Sequence, residues 1–179
     1  ADRLGLPFHS VGALTASKVP DAQAGYESQA QLMGAVLAGT NFIIHATGCL
    51  EGLLTMGYEK TVMDADRCAA MVRFAEGVDF AEAAQALDAF DEVEPGGHFL
   101  GCAHTLENFE QAFWTGDMSD NGTYEQWAAE GATWQHQRAA LRVRTLLAEY
   151  EPPPMDQAVR QALDEFVERR TREIQGGQP

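Results

Sequence analysis

Leu6-Pro7-Phe8-His9-Ser10-Val11-Gly12 and Asn41-Phe42-Ile43-Ile44-His45-Ala46 are two short apolar runs separated by one helix-length segment, and that spacing decides the fold class. Each run is short, rich in β-formers and followed by loop residues, the pattern of a buried strand that opens into a loop. Between them stands the polar stretch Thr15-Ala16-Ser17-Lys18-Val19-Pro20-Asp21. A helix is predicted from Ala22 to Ala38, with Leu32, Val36 and Leu37 on one side and Gly39 placed to end it. Strand, loop, helix, strand is the order of a βαβ unit with parallel strands. The chain therefore reads as α/β, and the rest of it makes that α/β unit mostly helical.

Beyond the second run, Gly48, Gly52 and Gly57 punctuate a loop, and a helix is expected from about Glu59 to Glu76 with Val62, Cys68, Ala69, Val72 and Phe74 as core-type residues. A short helix is predicted over Phe80 to Phe90, then a break at Pro95-Gly96-Gly97. His98 to Thr105 reads as a loop or short strand, with Thr105 as the N-cap of a helix reaching Phe113. Thr123, or Asn121 before it, should start a long helix ending near Tyr150. Pro152-Pro153-Pro154 must stop it, because proline has no amide to donate and restricts the residue before it. Asp156 then caps a last helix carrying the apolar stripe Val159, Leu163, Phe166 and Val167, with a frayed tail at Gly176-Gly177.

A length of 179 residues allows one main unit with an appendage, and 45% hydrophobic with 22% charged residues is a folding composition. The formal charge of −15, from 27 acidic against 12 basic residues, makes a nucleic-acid backbone a poor partner. No apolar run reaches the roughly 18 residues that a membrane span needs. The opening Ala1-Asp2-Arg3-Leu4 has neither Met nor an apolar leader, so the chain reads as soluble and internally cut. Cys49, Cys68 and Cys102 are odd in number and form no Cys-x-x-Cys pair, which fits a reducing, cytoplasmic setting better than a disulfide framework.

Several stretches carry a resemblance: Ser17-Lys18-Val19-Pro20-Asp21-Ala22-Gln23-Ala24-Gly25-Tyr26-Glu27, Gly97-His98-Phe99-Leu100-Gly101 with His104-Thr105-Leu106-Glu107, Tyr124-Glu125-Gln126-Trp127, and Glu151-Pro152-Pro153-Pro154. In this order they resemble the C-terminal portion of the trimethylamine methyltransferase family, over nearly the entire chain. The resemblance implies a (β/α)₈ (TIM) barrel that moves a methyl group from a methylated amine to the cobalt of a corrinoid carried by a partner protein. A whole barrel needs roughly 250 residues, so residues 1–118 are expected to hold its last strands and helices, and residues 119–179 a C-terminal helical extension. The N-terminal strands would lie elsewhere, and an unclosed sheet should seek that missing half or a second copy in a homo-oligomer. No pyrrolysine is present, which points to the branch that resembles demethylases of quaternary amines such as glycine betaine. The alternative is a non-catalytic remnant that serves as an interaction module; a metal-dependent hydrolase is a third reading.

His45 ends the second predicted strand, where a parallel barrel keeps its active site; it is the first catalytic candidate, against the plainer role of a half-buried histidine bonded to backbone. Glu51 in the same Gly-rich loop is the second: it either offers a carboxylate to a cationic substrate or caps the next helix. Asp21 and Gln23 follow the first strand and are candidate substrate-binding residues, Asp21 reading equally as an N-cap. As residues of the family motif, His98 and His104 are expected to line or brace the site from the barrel mouth. With Cys102 and Glu107 they also suggest zinc, but their spacing matches no compact template and no metal is expected. Trp114, Tyr124, Trp127 and Trp134 could form an aromatic cage for quaternary ammonium; packing is the expected role, with Trp127 and Trp134 seven apart on one helix face.

Overall fold

A computed structural model describes residues 1–176. Strand β1 (His9–Val11) pairs in parallel with β2 (Phe42–Ile44), His9 opposite Phe42 and Val11 opposite Ile44. Helix α1 (Ala22–Leu37) connects them, which is the expected βαβ unit. The Asp21 side chain accepts from the Ala24 amide at 3.0 Å and so caps α1. The buried residues of this helix, Ala24, Ser28, Leu32 and Ala35, recur at helical spacing on one face. Helix α2 (Tyr58–Ala75) follows and presents Lys60, Asp64 and Met71 as its buried face. Ala13, Leu32 and Met71 form the core, with Val36, Ile43, Ala46, Cys68 and Ala70 packed against it. Burying Leu32 in this way contributes about 1.5–3 kcal/mol.

Gly12 marks the tightest approach in this unit: a Cβ there would lie 2.8 Å from the Ala46 Cα and 2.9 Å from Ile43 Cγ2. Only glycine lets the end of β1 meet the end of β2 so closely. Hydrogen bonding between the two segments continues past β1, from the Gly12 amide to the Ile44 carbonyl at the end of β2 and from the Ala13 amide to the His45 carbonyl just beyond it.

Several segments differ from expectation. The Gly-rich loop after β2 contains a two-residue antiparallel hairpin, β3 (Cys49–Leu50) with β4 (Thr55–Met56), around a 3-10 turn at Glu51–Leu53. The helix predicted over Phe80 to Phe90 is two pieces, α3 (Glu82–Gln85) and α4 (Asp88–Glu92), because Ala86 between them takes a left-handed φ of 53°. Thr105 is not an N-cap: α5 (Ala103–Asn108) starts after Cys102 and stops short of Phe113, while the segment before it is the loop of the two alternatives, with a 3-10 turn at Phe99–Gly101. Thr123 does cap a helix, exchanging bonds with Gln126 in a capping box. That helix, however, stops at α6 (Tyr124–Ala129), and Gly131 and Ala132 at positive φ break the chain before α7 (Gln135–Ala148). Trp127 and Trp134 therefore do not share a helix face; Trp127 Nε1 instead donates to the Thr133 carbonyl across the break at 3.1 Å.

The chain divides into two compact units, Ala1–Thr145 and the remainder from Leu146. In the second, the Asp156 carboxylate accepts from the Ala158 and Val159 amides and caps α8 (Gln157–Gly176), as expected. The predicted tail includes Gly177, which lies outside the described residues. Among the described residues no helix is long and apolar enough to cross a membrane.

Candidate active site at the strand ends

The loops that leave β1 and β2 lie side by side and are laced together. The Glu51 amide donates to the Ser17 carbonyl at 2.9 Å and the Gly52 amide to the Thr15 carbonyl at 2.8 Å. Each loop is also clamped by the helix that follows it. From α1, Glu27 accepts from Thr15 Oγ1 at 2.6 Å and from the Ala16 amide at 2.9 Å, while Gln31 accepts from the Leu14 amide and donates to the Leu14 carbonyl. The Thr15 hydroxyl, the Ala16 amide and Gln23 together hold the Glu27 carboxyl below its ordinary pKa.

From α2 comes a feature that the sequence reading missed. Lys60, 1% exposed, pairs with Asp64, 5% exposed, one helical turn on. Lys60 Nζ also donates to Ser28 Oγ at 2.8 Å and reaches the Ala13 carbonyl at 3.4 Å, while Asp64 Oδ2 accepts from the Gly48 amide at 2.9 Å. Burial pushes the Asp64 carboxyl up, opposed by the hydrogen bond and charge of Lys60 and by the Gly48 amide. The signal was present: Lys60, Asp64, Cys68 and Met71 are spaced i, i+4, i+8, i+11, so the charged pair continues the inward stripe of α2.

His45 sits where expected, immediately after β2, and is exposed with a left-handed φ of 52°. Glu51 is exposed at φ 49°, at the start of the 3-10 turn in the same loop. Among the described residues, five non-glycine residues have positive φ, and His45, Glu51 and Leu53 of this one loop are three of them. Backbone held in that region costs about 1–3 kcal/mol per residue and persists where the surroundings over-determine it, most often at functional sites. His45 and Glu51 are thus brought onto one stiff, strained loop at the strand ends.

Asp21 and Gln23 stand at the start of α1, beside the other loop. Asp21 spends an oxygen on its cap, and the Ala24 amide and Ser17 hydroxyl hold its carboxyl low; Gln23 Nε2 donates to Glu27 Oε1 at 2.9 Å. His98 and His104 belong to a different pair of elements, the 3-10 turn at Phe99–Gly101 and α5, which pack on each other. Cys102 there is buried with its thiol 3.2 Å from Thr105 Oγ1. Among the described residues no three His, Cys, Asp or Glu side chains converge to hold a metal ion. Of the four candidate cage aromatics, Tyr124, Trp127 and Trp134 border one shallow depression of about 470 Å³ with Asp120 and Arg138. Tyr124 and Trp134 are 74% and 67% exposed, so the expectation of core packing fails for both.

The sequence model described as Trimethylamine methyltransferase (MTTB) matches residues 1–175. The chain belongs to the trimethylamine methyltransferase family. Within it, the chain is 40% identical over 170 residues to a glycine betaine methyltransferase of Desulfitobacterium hafniense, covering 95% of this chain and 35% of that protein. It is 29% identical over 168 residues to the trimethylamine methyltransferase MttB of another D. hafniense strain, covering 94% and 34%. With MttB2 of Methanosarcina mazei the identity is 26% over 175 residues, covering 97% and 34%. The chain thus spans about a third of the length of these family members.

Proposed function

We propose that the protein containing this chain demethylates a quaternary amine of the glycine betaine type and passes the methyl group to the cobalt of a corrinoid protein. The observation that carries this reading is the 40% identity to a glycine betaine methyltransferase, against 29% and 26% for the two trimethylamine methyltransferases. A quaternary nitrogen already bears the charge that makes a neutral amine leave. The C–N bond can then break with its electron pair going to nitrogen while reduced cobalt of the acceptor takes the methyl. What remains for the protein is position and electrostatics.

The strand-end loops are suited to both. In a parallel barrel the site lies at the C-terminal ends of the strands, and His45 and Glu51 occupy that position on the strained loop after β2. In this reading Glu51 faces the cationic amine and His45 lines the approach to the methyl group. Asp21 and Gln23 brace the neighbouring loop, and His98 and His104 contribute from the barrel mouth. The formal charge of −15 favours a cationic over an anionic partner for the chain as a whole.

β1 and β2 have no second strand neighbour among the described residues, and Phe42 is 65% exposed. Those open edges support the view that residues 1–118 are the last part of a (β/α)₈ barrel with 119–179 as its helical extension, completed by further strands or by self-association. They also favour the second reading, an interaction module that uses its open sheet to bind another subunit. The test is methyl transfer from a panel of methylated amines to cob(I)alamin, followed by the visible spectrum of the cobalt, with the full-length protein. Turnover of glycine betaine, with trimethylamine much slower, is expected. No turnover of any amine would reject the enzyme reading in favour of the module.

A further inference from the structure

Lys60 and Asp64, 1% and 5% exposed, border a cavity of about 250 Å³ together with Ser28 and Arg67, and their contacts lead to both loops of the site. Lys60 Nζ meets the Ala13 carbonyl just past β1 and Ser28 Oγ on α1; Asp64 Oδ2 takes the Gly48 amide just past β2. The ammonium and the amide share that one carboxylate oxygen, so the two loops are tied through a single point. Between the ties run Ala46 and Thr47, next to His45, whose carbonyl accepts the Ala13 amide at 2.9 Å. A buried pair of this kind gives little net stability compared with apolar residues of the same size. Its distinctive property is directional: fixed donors and acceptors that hold two backbones in one register.

We infer that Lys60 and Asp64 are positioning residues, which lock the loop after β1 to the loop after β2 and thereby aim His45. This rests on the reading that the strand-end loops form the active site. The pair acts through backbone, so its loss should change the rate of the chemical step more than substrate binding.

The experiment uses the full-length protein and three variants: Lys60→Met, Asp64→Asn, and the double variant K60M/D64N. In the double variant the carboxamide oxygen at position 64 can still accept the Gly48 amide, no buried charge is left alone, and the bonds from position 60 to the Ala13 carbonyl and the Ser28 hydroxyl are cut. Each variant is measured for melting temperature, for kcat and KM of methyl transfer, and for hydrogen exchange at the Ala13, Glu51 and Gly52 amides, which donate from one loop to the other. The double variant should melt closer to wild type than either single variant. Its three cross-loop amides should still exchange at least tenfold faster than wild type, and its kcat should stay about 10- to 100-fold down with KM within about threefold, since small misplacements of reacting groups cost that much. Recovery of kcat and of exchange protection together with melting temperature would show a merely structural pair and overturn the inference. Absence of turnover in the wild type would reject the methyl-transfer reading alone, because exchange at the three amides still decides whether the pair couples the loops.

Discussion

Gly12→Ala is the substitution that most directly tests the packing of the two strand ends. The added methyl carbon would sit 2.8 Å from the Ala46 Cα, 2.9 Å from Ile43 Cγ2 and 3.1 Å from Leu32 Cδ2. The first of these is backbone, so no rotamer change relieves it; the loop after β2 must move, and the core contacts of Leu32 move with it. Overpacking of a core costs about 1–3 kcal/mol, and with backbone as the obstacle the upper part of that range, about 2–3 kcal/mol, applies. The control is Gly34→Ala in α1, where nothing lies within 4 Å of the new carbon. Replacing a helix-interior glycine there should stabilise by about 0.5–1 kcal/mol. Urea unfolding reads both: at about 2 kcal/mol per molar, the midpoint should fall by about 1–1.5 M for G12A and rise by about 0.25–0.5 M for G34A. On the proposed function, Gly12→Ala in the full-length protein should also slow methyl transfer, because the displaced backbone carries His45. Equal midpoints for the two variants, or a more stable G12A, would refute the close approach of β1 to Ala46.

His45→Ala should lower kcat by about a hundredfold or more if the imidazole works on the reacting group, and a steady-state assay in which kcat is unchanged removes His45 from the mechanism. On the proposed function, Glu51→Gln should instead raise KM for a quaternary amine and leave the melting temperature near wild type, because the side chain is exposed; a substrate titration showing no change in KM counts against a carboxylate contact. Asp21 and Glu27 have lowered pKa values, so the stability they contribute is complete above their unfolded values of 3.8 and 4.5 and is lost as pH falls through the lower folded values. Asp64, raised, works in the opposite sense: its deprotonation costs stability as pH climbs from 3.8 through its folded value, so Asp64→Asn should flatten that part of the pH profile in thermal melts. Burial raises the Cys49 and Cys68 thiols, so both should resist iodoacetamide in the folded protein at about pH 8 and react once urea is added, as peptide mapping would reveal.

The elements that could be read from residues alone were those whose signals are local. Asp21 supplies the cap of α1, apolar residues repeat along its length, and Gly39 follows it, so its bounds came out within a residue or so. The two parallel strands were legible as short apolar runs on either side of it. The breaks were not: the one at Ala86 has no turn signature, and the one before α7 is marked only by Gly131, a residue that a helix also tolerates. Ala86 and Ala132 adopt positive φ although alanine has no preference for it, and the stretch Trp127 to Trp134 keeps a helical apolar period across the break. What holds that break is tertiary, Trp127 Nε1 and the Arg138 guanidinium both donating to the Thr133 carbonyl. The hairpin after β2 was hidden for a similar reason: two-residue strands are too short to show an alternation.

The site follows the same division. His45 could be singled out because a histidine directly after an apolar run is easy to see, whereas its strained φ belongs only to the folded loop. Lys60 and Asp64 stand in a helix where an i, i+4 charge pair is ordinarily a solvated one worth a few tenths of a kcal/mol. What turns the pair inward is that its turn of α2 lies behind the loops after β1 and β2, where the Ala13 carbonyl and the Gly48 amide would otherwise be buried without partners. The charge pair is therefore the consequence of two loops ending against one helix. An apolar replacement could match its volume but would leave those backbone groups unsatisfied, so the helix needs one donor and one acceptor at these two positions even though their charges contribute little net stability.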